Sequence, residues 1–226
     1  MKNTHRSPQR PRRHQPVALL CALVALLTCL AAAGPSWAGD TPRYTVRKGD
    51  SLSLIAKRLG VTLAHLRKEN DLVKDVIHQG QVLKVPDAFK ALRPGDVRWS
   101  RPLPKGGKLL RPFGNYQQGK LVLPSTGADV SCPVGTKVTA PAHGIVRHCR
   151  TMDGVGVVLI IEHGGSYTSV LAPLDPATID VEVGQIVVRG ELLGLTAAPE
   201  SSGDSPHLHV ELRKDDKAVS PERLLH

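Results

Sequence analysis

Apolar and polar positions change rhythm twice along this chain. Val17 to Gly39 carries no charge, and its centre reads VALLCALVALLTCLAAA. Tyr44-Thr45-Val46 then alternates like a short strand, with Gly49-Asp50-Ser51 following as turn and helix cap. Leu52, Ile55, Ala56 and Leu59 recur at i, i+3, i+4 and i+7, which predicts one apolar helix face ended by Gly60. Thr62 caps a second helix, Val61 and Leu66 can pair as a staple across its start, and Asn70 closes it. Gln79-Gly80-Gln81 turns into a last strand, Val82 to Val85, stopped by Pro86. The predicted order is βααβ, close to the smallest size that folds alone.

Beyond Leu110 the period falls to two. Runs such as Gly135-Thr-Lys-Val-Thr-Ala, Gly144-Ile-Val-Arg-His, Gly156-Val-Val-Leu-Ile-Ile-Glu, Tyr167-Thr-Ser-Val-Leu, Gln185-Ile-Val-Val, Leu192-Leu-Gly-Leu and His207-Leu-His-Val-Glu-Leu are separated by Gly, Asp and Pro. They predict a mainly antiparallel β domain, with His163-Gly164-Gly165 as a hairpin turn. The fold class is therefore α+β. Residues 87–109, dense in Pro, Gly and basic side chains, read as a linker between residues 39–86 and 110–226.

Charge sharpens this division. The first 38 residues hold five basic residues and no acid, ahead of the apolar run and Ser36-Trp37-Ala38. That layout predicts a secretory signal peptide over 1–38, an uncleaved anchor being the alternative. Residues 39–86 have nine basic against five acidic residues, residues 87–120 eight against two, and residues 121–226 eight against thirteen. An exported chain without an aromatic-basic platform is not expected to meet nucleic acid, so an anionic envelope polymer is the natural partner for the basic half. Past the signal only Cys132 and Cys149 remain. An oxidising compartment allows them to pair, which would contribute on the order of 3 kcal/mol by loop closure. Two separate buried thiols are the alternative.

The segment YTVRKGDSLSLIAKRLGVTLAHLRKEN, followed by IHQGQVLKVP, resembles a LysM domain nearly end to end. The resemblance implies binding to N-acetylglucosamine-containing glycans such as peptidoglycan. It also implies a groove between Gly49, Asp50, Ser51 and Leu52 on one side and Ile77, His78, Gln79 and Gly80 on the other.

From about Leu110 to the end, the chain resembles the lysostaphin-like (LytM) metallopeptidase domain. The landmarks are Gly127-Ala-Asp129, His143-Gly-Ile-Val, Glu162-His163-Gly164, Val183-Gly184-Gln185 and His207-Leu-His209. An active member holds zinc with the His and Asp of His-x-Gly-x-Asp and the second His of His-x-His. Two further histidines surround the metal's water, the first of His-x-His and one in Tyr-x-His-Leu. Asp129, His207 and His209 stand at matching positions, but Ser125 replaces the first ligand and Pro173 replaces the histidine of Tyr-x-His-Leu. A catalytic zinc normally has three protein ligands and an open position. The resemblance therefore implies a degenerate site without expected zinc or hydrolysis, Asp129 and His209 being the ligands if zinc is retained.

A LysM module joined to such a domain resembles the EnvC/NlpD class of murein hydrolase activators. The resemblance implies a cell-envelope protein that engages a cell-wall amidase through a groove near Ser125, Asp129, Pro173, His207 and His209. The alternative is a zinc endopeptidase acting on peptidoglycan cross-links.

Overall fold

The computed structural model describes residues 41–89, 93–199 and 205–226. The expected signal segment, residues 1–38, lies outside the described residues. Among the described residues no helix is long and apolar enough to cross a membrane.

The N-terminal unit runs β1 (Arg43–Thr45), α1 (Leu52–Leu59), α2 (Leu63–Glu69) and β2 (Val82–Lys84), with β1 and β2 antiparallel. The predicted face of α1 is the buried one: Leu52, Ile55, Ala56 and Leu59 are all in the core. Its ends are set by local chemistry. The Leu54 amide donates to Ser51 Oγ at 3.3 Å, and Gly60 closes the helix at φ 71°, a conformation that costs a residue with a Cβ. Thr62 Oγ1 caps α2 by accepting from the His65 amide at 3.1 Å. Asn70 does more than end the helix. Its Nδ2 donates to the carbonyls of Leu66 (2.8 Å) and Lys84 (2.9 Å), and its Oδ1 accepts from the Lys84 amide (2.7 Å). One side chain thereby ties α2 to β2.

The second unit is built on an eight-stranded sheet whose observed pairings are antiparallel. Its strands are β3 (Leu109–Arg111), β6 (Ala128–Ser131), β8 (Gly144–Met152), β9 (Gly156–His163), β10 (Tyr167–Leu174), β11 (Ile186–Val187), β13 (His207–Lys214) and β14 (Lys217–Val219). The spatial order is β11-β8-β9-β10-β13-β6-β3, with β14 beside β13. Two smaller pairs complete it: β7 (Lys137–Thr139) with β12 (Leu192–Leu195), and β4 (Gly114–Gln118) with β5 (Leu121–Ser125). The turn at 164–166 joins β9 to β10, as the His-Gly-Gly stretch predicts.

Strand periodicity divides the main sheet into two faces. Leu159, Leu171, Leu208, Val210 and Leu212 pack with Val138 of β7 and Leu193 of β12 in the main core. Asp129, Ala172 and His209 lie abreast on the neighbouring strands β6, β10 and β13. The site below is built on that second set of positions.

Two expectations are corrected here. Residues 97–103 are not a free linker. Trp99 stands edge-on to His163 (5.2 Å) and Tyr167 (5.3 Å), Leu103 is buried in the main core, and Pro102 accepts from the Thr139 amide at 2.8 Å. Pro and Gly here signal the absence of regular structure, whereas Val97, Trp99 and Leu103 supply apolar anchors. The cysteines are the second correction: both are free and half-buried, with burial pushing each thiol pKa up. Cys149 lies on β8 and Cys132 just beyond β6, four strand positions away in the sheet. At about 4.8 Å per strand this is roughly 19 Å, far beyond the Cα separation a disulfide spans.

The two units also share a boundary. Ile145 of β8 and Ile186 of β11 are buried within the apolar cluster of the N-terminal unit. The Arg43 amide donates to the Gly184 carbonyl at 3.0 Å, and Arg47 forms an ion pair with Glu191.

Candidate functional site

Register places the central residues of the second unit. His209 on β13 pairs with Asp129 on β6 and with Ala172 on β10, while Arg111 on β3 pairs with Asp129 from the other side. Because side chains one pair deep share a face, Arg111, Asp129 and His209 converge. Asp129 is 2% exposed and His209 5%. Desolvated charges at these positions must find partners.

They do so in an alternating chain. Arg111 Nη1 donates to Asp129 Oδ2 at 2.9 Å, and His209 Nδ1 donates to Asp129 Oδ1 at 2.6 Å. His209 Nε2 lies 3.7 Å from Glu211 Oε2, a charge contact too long for a hydrogen bond. Arg213 Nη1 donates to Glu211 Oε1 at 2.6 Å, and Thr126 Oγ1 donates to Glu211 Oε2 at 2.8 Å. Burial opposes charge on the His209 ring, but the Asp129 hydrogen bond and the Glu211 carboxylate outweigh it and its pKa is pushed up to about 9. Burial likewise opposes ionisation of Asp129 and Glu211. His209, with His207 and Arg111 at Asp129 and with Arg213 and Thr126 at Glu211, outweighs it and holds both carboxyls below their ordinary range.

His207 faces the same carboxylate more loosely. Its Nδ1–H donates to the Ser205 carbonyl at 2.8 Å, which fixes the tautomer, and its Nε2 stands 3.9 Å from Asp129 Oδ2. That Nε2 and His209 Nε2 are buried without a hydrogen-bond partner. Ser125, at the end of β5, turns its hydroxyl onto its own loop, donating to the Gly127 carbonyl at 2.8 Å. Gly127 is required by space: a Cβ there would stand 2.7 Å from His209 Cε1 and Nε2. Pro173 is buried one residue beyond Ala172 and offers no donor.

The structure therefore brings Asp129, His207 and His209 together, with Ser125 on the turn that abuts His209. Arg111, Glu211 and Arg213 were missed by sequence reasoning. Two of them had a signal, since His207, His209, Glu211 and Arg213 continue one period-two series. Arg111 had none, because its place opposite Asp129 depends on the pairing of β3 with β6.

As arranged, these residues fall short of the three protein ligands that a catalytic zinc normally takes. Among the described residues no group of three or more His, Cys, Asp or Glu side chains is arranged to hold a metal. Asp129 and His209 spend their facing atoms on each other, Ser125 contributes a neutral hydroxyl turned elsewhere, and the Arg111 guanidinium puts a fixed positive charge against the carboxylate.

In the N-terminal unit the second expected glycan segment is tied to the end of the first strand run, just ahead of the first segment: the Gly80 amide donates to the Val46 carbonyl at 2.8 Å. Gly49, Ser51, His78, Gln79 and Gly80 are exposed, and Ile77 is half-buried. The side chains of Leu52 and Asp50 are engaged within the unit itself. Leu52 is buried in the core. Asp50 accepts from Tyr44 Oη (2.6 Å), the Arg47 amide (2.9 Å) and Arg58 Nη1 (3.0 Å), so its carboxylate is spent holding the turn. Burial, with the Asp50 hydrogen bond, pushes the Tyr44 phenol up to about 12.

Comparison with known proteins agrees with both units. Residues 44–86 match the LysM domain and residues 123–221 match peptidase family M23. The uncharacterized lipoprotein YgeR of Escherichia coli (strain K12) is 25% identical over 236 residues, covering 90% of this chain and 90% of that protein. Peptidoglycan DD-endopeptidase ShyB of Vibrio cholerae is 35% identical over 219 residues, 75% of this chain and 50% of that protein. Murein hydrolase activator EnvC of E. coli (strain K12) is 29% identical over 157 residues, 67% of this chain and 36% of that protein. This chain thus spans half or less of the latter two. It is built from a LysM domain followed by a domain of peptidase family M23.

Proposed function

We propose that this protein is a non-catalytic peptidoglycan-binding factor of the cell envelope that activates a cell-wall amidase in murein remodelling and cell separation. The LysM domain supplies attachment to N-acetylglucosamine-containing glycan through the backbone and short polar groups of Gly49, Ser51 and His78–Gly80. The M23 domain supplies a groove bordered by Ser125, Asp129, Pro173, His207 and His209, offered to the amidase instead of a peptide substrate. A peptidoglycan-related role is supported by both kinds of relative, since murein hydrolase activators and a peptidoglycan DD-endopeptidase are each similar to this chain.

The observation that carries the non-catalytic reading is the internal pairing of Asp129 with Arg111 and His209. Hydrolysis by a metal needs an open coordination position and a water held for attack. Here the carboxylate and imidazole are turned onto each other, and Pro173 removes a donor. One observation favours a second reading, a zinc endopeptidase: the buried Nε2 atoms of His207 and His209 have no hydrogen-bond partner.

The test is release of dye from labelled murein by a purified amidase with and without this protein. Activation predicts that the protein alone releases no dye and that its addition raises amidase-dependent release several-fold. Zinc-dependent release by this protein alone, abolished in His209→Ala, would establish the endopeptidase reading instead.

A further inference from the structure

Arg111 sets a fixed positive charge against the carboxylate of Asp129. Its guanidinium approaches Asp129 Oδ2 at 2.9 Å from β3, and the opposite carboxylate oxygen is taken by His209 Nδ1 at 2.6 Å. The position is secured from two further directions. Backbone pairing sets Arg111 opposite Asp129, and the guanidinium carbon lies 5.0 Å from the centre of the Tyr116 ring, within cation–π range. The chain then continues through His209 Nε2 and Glu211 (3.7 Å) to Arg213 (2.6 Å). Glu211 is fully buried and is held from the side by Thr126. Guanidinium, carboxylate, imidazole, carboxylate and guanidinium therefore alternate across three adjacent strands, β3, β6 and β13.

We propose that Arg111 is a built-in substitute for the metal: a covalently attached cation that neutralises Asp129, holds it against His209 and keeps divalent ions out of the groove. A divalent ion approaching Asp129 would meet a guanidinium that cannot lose its proton. To use Asp129 Oδ1 or His209 Nδ1 it would also have to break the hydrogen bond between them. The loss of a histidine at Ser125 removes one ligand; Arg111 goes further and fills the charge that the ion would have carried. The groove is thereby shaped without any dependence on metal supply. The inference goes beyond the amidase reading, because a groove could dock a partner with or without this substitution.

Cobalt(II) titration, followed by visible d–d absorption, tests it on the full chain and three variants: Ser125→His, Ser125→His with Arg111→Ala, and Ser125→His with Arg111→Gln. Restoring the histidine alone is expected to leave the spectrum blank, because the guanidinium remains. Removing it as well is expected to produce tetrahedral cobalt bands and at least a 100-fold gain in affinity over Ser125→His. Near-ultraviolet circular dichroism checks folding, and the Gln variant keeps side-chain bulk if the Ala variant loosens the strand. Cobalt binding by Ser125→His within threefold of the double variants would overturn the inference. So would stoichiometric micromolar binding by the unaltered protein that is lost in His209→Ala. Amidase activation is read separately by dye release, so a failure here leaves that reading standing or falling on its own assay.

Discussion

Replacing Asp129 with Asn keeps the shape of the side chain and removes its charge, which isolates what the carboxylate does. In the folded protein the His209 pKa is pushed up to about 9 from the ordinary 6.5, against the effect of its own burial. At pH 7 the ring is therefore held charged by about two pH units, and at about 1.4 kcal/mol per unit this is roughly 3 kcal/mol. Asn can still accept from Nδ1–H, so the loss comes from charge and not from geometry. Arg111 also loses its partner, and because its side chain is 21% exposed water recovers part of that cost. The expected destabilisation is about 3–4 kcal/mol, within the range for breaking a buried ion pair. Urea unfolding at pH 7 gives the energy, and the His209 ring resonances followed by NMR give the titration. In Asp129→Asn the ring should titrate near or below 6.5. A loss under about 1 kcal/mol with the ring still titrating near 9 would refute the ion-chain account.

Three further outcomes follow from other parts of the molecule. His163 is buried, with Nδ1–H donating to the His143 carbonyl (2.9 Å) and Nε2 accepting from Ser169 (2.8 Å), and burial lowers its pKa to about 4. Burial and the nearby arginines 58, 189 and 47 lower His143 likewise to about 4. The unfolded chain takes up these protons first, so this stability is present above 6.5 and is lost as pH falls towards 4. His209 has the opposite sign, and its contribution is present below 6.5 and lost as pH rises through 9. Urea midpoints measured from pH 4 to 9.5 should therefore peak near 6.5–7. Ile186→Ala should cost about 2–5 kcal/mol and lower amide protection in α1 as well as in β11, because Ile186 sits in the LysM core; hydrogen exchange reads both. Asp50→Ala should lower LysM stability by about 1–3 kcal/mol, whereas Gln79→Ala should weaken chito-oligosaccharide binding with little change in unfolding.

Local chemistry made the LysM domain legible in the sequence. Ser51, Gly60 and Thr62 punctuate two helices, the first with an unbroken apolar face, and each performs the role that its position implies. The β domain was legible as strands and one hairpin, but not as an arrangement. Short β3, β4 and β14 carry too few alternating residues to stand out, and nothing local says that β13 lies between β10 and β6. That order creates the site, since it sets Asp129 beside His209 and brings in Arg111. His207, Asp129 and His209 could be read from the family pattern, and Glu211 and Arg213 from their parity. Arg111 and the docking of Trp99 depend on long-range packing, which composition disguised as a basic linker.

Digestion of cross-linked muropeptides by the purified protein in excess zinc, resolved by chromatography, tests the non-catalytic groove most directly. No loss of cross-linked species is predicted, at any zinc concentration. Conversion of dimers to monomers, absent in His209→Ala, would contradict it.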